Sequence, residues 1–155
     1  MATKVKKSFL SVSIKESMMK DGRMVGTTTI RRIPGITNTF ERNITCLGGS
    51  ETTLYETSTD RTTSGSKFDA QKVKYGRITN RDTAHALRLR ITNSASDEMV
   101  MVLEPGESYQ LFGHAKKMIM SGSAISSYPF GSVTSFKAQP LTSKTIDVQL
   151  FVASI

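Results

Sequence analysis

The run Leu87-Arg88-Leu89-Arg90-Ile91 alternates apolar and charged residues at a period of two, a pattern that no helix can bury along one side. A strand can. Leu87, Leu89 and Ile91 then cover a core while Arg88 and Arg90 stand outward. The surrounding residues, 75–113, keep the same grammar. Ile91 to Glu98 turns the chain, and Met99-Val100-Met101-Val102-Leu103 is apolar on both faces, which predicts an interior strand or one whose outer face meets another subunit. In Glu104-Pro105-Gly106-Glu107, Pro105 presets φ at the first turning position and Gly106 accepts φ > 0 at the second, as a type II turn requires. Beyond it Tyr109 and Leu111 share one face and Phe112 takes the other. The stretch reads as an antiparallel meander of about four strands.

Serine and threonine, about a quarter of the chain, alternate with Val, Ile, Leu and Phe elsewhere too. Strands are expected at 6–14, 24–33, 36–46, 51–57, 75–80, 84–93, 98–104, 107–113, 115–121, 131–137 and 144–154. Turn signals about every ten residues give the spacing of a sandwich or barrel. In the last run Ile146, Val148, Leu150 and Val152 alternate with Asp147, Gln149 and Phe151, as in a central strand or one added at an edge. Residues 55–71 and 123–132 are polar, Gly- and Ser-punctuated loops, the second carrying Tyr128, Pro129 and Phe130 at its tip. The expected fold is all-β: one antiparallel β-sandwich over residues 1–155, jelly-roll-like, with long surface loops. An arm at 1–8, bearing Lys4, Lys6 and Lys7, is expected to order on contact with a partner.

Chemistry finds little to work with. A lone cysteine, Cys46, can form neither an intramolecular disulfide nor a zinc site. His85 and His114 are the two histidines, and neither has a catalytic or metal-ligand motif around it. Asp97 with Glu98 and Glu104 with Glu107 flank turns, where acids are ordinary, and the chain has no tryptophan to support a sugar ring. The two glycines of Cys46-Leu47-Gly48-Gly49-Ser50 lack the Lys-Ser/Thr that a phosphate loop needs. Met99 with Met101 and Met118 with Met120 share strand faces, and these, with Met18, Met19 and Met24, suit core filling first and a flat subunit contact second. With no signal peptide and no apolar run long enough to span a bilayer, the expected setting is a reducing cytoplasm, which leaves the sequon at Asn43 unused. Net charge is +8 with a pI near 9.8, but the basic residues are dispersed and no row of aromatics accompanies them. Such charge supports at most weak, salt-sensitive phosphate contact and no specific nucleic-acid partner is expected, while electrostatic docking on an acidic protein is as plausible.

Within residues 75–113, the pattern Ile-Thr-Asn, Leu-Arg-Leu-Arg-Ile-Thr-Asn, Met-Val-Met-Val-Leu-Glu-Pro-Gly-Glu resembles one found in small β-sandwich structural proteins of tailed bacteriophages. The resemblance covers about a quarter of the chain. It implies a jelly-roll-like module that decorates or cements a capsid, or forms part of a tail. On that expectation the protein is a non-enzymatic virion component, assembled in the host cytoplasm, without cofactor, metal or membrane partner. Its partners are other virion proteins, foremost the major capsid protein, and further copies of itself. Contacts are expected at Lys4, Lys6, Lys7, Arg88, Arg90, Tyr128 and Phe130. Two alternatives stand beside it: a tail or head-to-tail connecting ring, and a carbohydrate-binding module presenting Tyr55, Tyr128 and Phe130.

Overall fold

The period-two pattern becomes extended backbone throughout the computed structural model of the chain, which describes residues 8–57, 67–69, 72–112 and 133–155. Four strands come first: β1 (Ser8–Lys15), β2 (Met18–Lys20), β3 (Arg23–Val25) and β4 (Thr28–Ile36). They form a hairpin, with β1 paired to β4 and β2 to β3. The rest build a sandwich from β5 (Asn38–Cys46), β6 (Thr52–Thr57), β7 (Lys67–Phe68), β8 (Val73–Asn80), β9 (Leu87–Asn93), β10 (Glu98–Leu103), β11 (Ser108–Phe112), β12 (Val133–Pro140) and β13 (Ile146–Ser154). One sheet runs β10-β9-β12-β6-β7 and the other β11-β8-β13-β5.

With the hairpin and the short β7 set aside, the antiparallel pairs are nested: β5 with β13, β6 with β12, β8 with β11, β9 with β10. First pairs with last and so on inward, which is one long ribbon wound into two sheets. That winding is a jelly roll.

Alternation decides the core. Leu87, Leu89 and Ile91 of β9 are fully buried against Ile146, Val148 and Leu150 of β13, with Leu54 and Phe136 between the sheets. The last strand lies centrally, between β8 and β5. Tyr55 joins the same core, its ring stacked on Phe68 at 5.0 Å and edge-on to Phe136 at 5.6 Å. Trimming a leucine such as Leu89 to alanine here should cost about 2–5 kcal/mol.

Several expectations need correction. Residues 75–113 are not a meander: β8 and β11 lie in one sheet and β9 and β10 in the other, so the chain crosses the sandwich twice. Glu104 to Glu107 is the type II turn expected, with Gly106 at φ +78° and a 3.0 Å bond from the Glu107 N–H to the Glu104 carbonyl, but it carries the chain from sheet to sheet. Of the two readings of the apolar β10, the interior strand fails, because among the described residues β10 lies at the edge of its sheet. The loop expected at 55–71 begins and ends in structure, since Tyr55 belongs to β6 and β7 pairs with it in parallel. Phe68, too, is held in the core by Tyr55 and Phe40. The strand expected at 115–121 lies outside the described residues.

Candidate interaction surface

The N-terminal hairpin is built by its turn. Lys20-Asp21-Gly22-Arg23 places Asp21 at φ 49° and Gly22 at φ 73°, the two left-handed positions of a type I′ turn, whose twist matches the strands it joins. From that turn the register runs unbroken, from Lys20 opposite Arg23 through Met18 opposite Val25 to Leu10 opposite Ile33. Glu16 and Thr27 exchange both backbone bonds, at 2.9 and 3.1 Å, where the strands are interrupted. At that interruption Gly26 passes so close that any Cβ would strike the Glu16 carbonyl and the Ser17 backbone.

Its base is anchored and its far end is not. Leu10, Val12 and Ile33 pack with Phe151 on a small cluster of Ile36, Tyr75 and Ala153, on the outer face of the four-stranded sheet. The Ser8 hydroxyl donates to the Ile36 carbonyl at 3.1 Å, and the Arg32 guanidinium sits 5.1 Å over the Phe9 ring. Toward the turn the side chains lose cover: Ile30 is 63% exposed, Met18 57%, Met19 66%, Met24 71% and Val25 51%. A two-stranded ribbon is marginal in water, and each large apolar side chain left out forgoes about 1.5–3 kcal/mol of burial. The expectation that Met18, Met19 and Met24 fill the core fails here, because among the described residues no second layer covers their faces of the ribbon. Met99 and Met101 do pack against the core.

A second surface lies on the five-stranded sheet. Arg88 and Arg90 point away from the core, half-buried among neighbours of their own chain. Arg90 donates to Glu98 at 2.9 Å and pairs with Glu51, while Arg88 pairs with Gln139 and, at 3.4 Å, with Glu51. Pairing with Glu98 and then Glu51 holds Arg90 more firmly charged than usual. β9 is flanked by β10 and β12, so neither arginine guards an edge. Beside them on β10, opposite Arg90 and Arg88, Val100 and Val102 are 52% and 48% exposed. This is the outer face that the doubly apolar sequence allowed.

Lys4, Lys6, Lys7, Tyr128, Phe130 and His114 lie outside the described residues, as do Met118 and Met120. Tyr55 is buried, and burial with the Asp69 charge pushes its phenol up to about 12, so it offers no ring face to a sugar. His85 approaches Asp82 at 3.1 Å, but the same Asp82 oxygen also accepts the backbone N–H groups of Ala84 and His85, both at 2.7 Å. That geometry closes the turn after β8. Among the described residues no three His, Cys, Asp or Glu side chains converge as a metal site would need. An open cleft of about 310 Å³ beside Phe40, Phe68 and Val152 has Lys67, Asp69 and Lys72 on its rim, with Asp69 paired to Lys72 at 3.3 Å.

Comparison with known protein families, with curated proteins and with solved structures finds no match to this chain. The hairpin tip was missed in the sequence, where strands were expected at 6–14 and 24–33 with nothing between them. The signal was there: Asp21-Gly22 is a strong hairpin turn, and pairing outward from it places Met18 with Val25 and Met19 with Met24.

Proposed function

We propose that this chain is a non-enzymatic structural component of a virion, added in many copies to the surface of a capsid, and that its N-terminal hairpin makes the attachment. The observation that carries the reading is the hairpin itself, anchored at its base and bare at a methionine-rich tip. Exposed apolar area of this kind marks a site of protein contact, and Met adapts to irregular partner surfaces. Jelly-roll winding supports the reading by analogy alone, because that fold serves capsid and lectin domains alike. The resemblance of residues 75–113 to small phage structural proteins and the net charge of +8, which favours an acidic shell, point the same way.

Co-sedimentation with particles that lack the protein tests it. Saturable binding is expected, falling at least tenfold when Met18, Met19 and Met24 are all changed to serine. A chain that leaves particles bare, or a triple variant that binds as well as the wild type, contradicts the proposal.

A further inference from the structure

We infer that the thioethers of Met18, Met19 and Met24 form a modification site, whose oxidation by a peroxide switches the hairpin tip from an apolar surface to a polar one. The inference rests on the proposed attachment through that tip and adds its regulation. Met19 of β2 lies directly opposite Met24 of β3, so these two side chains share one face of the ribbon, and Met18 lies opposite Val25 on the other. All three methionines are more than half exposed, so a small oxidant reaches sulfur from either face. Met99 and Met101 on β10 are the internal comparison, since they pack half-buried against the core of the sandwich.

The chemistry is a two-electron oxygen transfer. Sulfur attacks one oxygen of hydrogen peroxide, the O–O bond breaks as the S–O bond forms, and the proton of the attacked hydroxyl passes to the departing hydroxide. Thioether is oxidised to sulfoxide and peroxide is reduced to water. The protein contributes access alone. A thioether can be buried dry against a partner, whereas a sulfoxide oxygen is a strong acceptor that must keep its water or find a donor. Three such oxygens at one tip turn the surface that attaches into one that stays wet. Attachment and oxidation also compete, because a covered sulfur is out of reach. The free chain is therefore the sensitive form and the attached chain the protected one.

Graded hydrogen peroxide on the full-length protein tests this, with peptide mass spectrometry to read the sites and co-sedimentation with particles to read the consequence. In the folded chain Met18, Met19 and Met24 are expected to gain oxygen at least tenfold faster than Met99 and Met101, a difference that vanishes in urea. Particle binding is expected to fall at least tenfold on oxidation and to return after treatment with methionine sulfoxide reductase. A variant with Met18, Met19 and Met24 all changed to leucine keeps the apolar tip without its sulfur and controls for methionines elsewhere. It is expected to bind as well after peroxide as before. Equal oxidation rates at tip and core overturn the inference, and so does a leucine variant that loses binding to peroxide as the wild type does. Untreated wild type that leaves particles bare contradicts the proposed function and the switch with it, while tip-selective oxidation with full binding contradicts the switch alone.

Discussion

Asn80 holds three segments of the chain at once. Its buried Nδ2 donates to the carbonyls of His85, Leu103 and Glu104 at 3.0–3.2 Å, and its Oδ1 accepts the Asp82 N–H at 3.0 Å. Replacing Asn80 with alanine strands those groups and should lower the unfolding free energy by about 2–4 kcal/mol, read from urea denaturation. The same tripeptide, Ile-Thr-Asn, ends β9, where Asn93 accepts the N–H groups of Ala95 and Asp97 at 2.9 and 2.7 Å. Its recurrence was visible in the sequence; its role was not, because a buried asparagine and a turn asparagine are spelled alike. Ionisation is legible only with the fold in hand. Burial, with the Asp69 charge adding to it, lifts Tyr55 to about 12, so the folded state resists losing that proton more than the unfolded chain does. Stability from this source is whole below about pH 10 and declines as pH rises toward 12, and Tyr55→Phe should flatten that alkaline limb. At the other end, the backbone N–H of Ala84 and then that of His85 hold the Asp82 carboxyl below its ordinary value. Its contribution is present above the ordinary carboxylate pKa and is lost as pH falls through the depressed one, so Asp82→Asn should blunt the acid limb of the same stability profile.

Strands were largely readable and their partners were not. The alternation of Ile146 to Val152 and of Leu87 to Ile91 records that one face is buried, and the structure places both runs where the pattern requires. It does not record which strand lies alongside. A type II turn at Pro105-Gly106 looks the same whether it joins neighbours in a sheet or crosses between sheets, and here the Asn80 N–H to Glu107 carbonyl bond at 2.9 Å ties the crossing to β8. The outward valines of β10 had the opposite fault, since two apolar faces fit both an interior strand and an edge strand whose outer face is exposed. Within the hairpin Gly26 is the critical position, because a Cβ there meets backbone on the opposite strand and cannot be accommodated by a rotamer change. Gly26→Val should therefore disorder residues beyond the break while leaving the cooperative unfolding of the sandwich within about 0.5 kcal/mol of wild type. Particle binding should fall at least tenfold, separating the arm from the body that carries it.

As a whole the described residues divide between a sandwich with a continuous buried core and an arm whose tip side chains are exposed. The sandwich keeps Cys46 buried, with desolvation raising its thiol pKa, so a thiol reagent should label it only on unfolding. On the proposed function the arm makes the attachment, and its net charge of +3 over residues 8–36 could be counted from the sequence once the pairing was known. Hydrogen exchange tests the account most directly, comparing amides 14–30 in dilute free protein and on virus particles. The account predicts rapid exchange in the free chain and at least tenfold slower exchange on particles, with β8, β9 and β13 unchanged. Equal rates in the two states would contradict it, because the arm would then be covered by nothing it meets there.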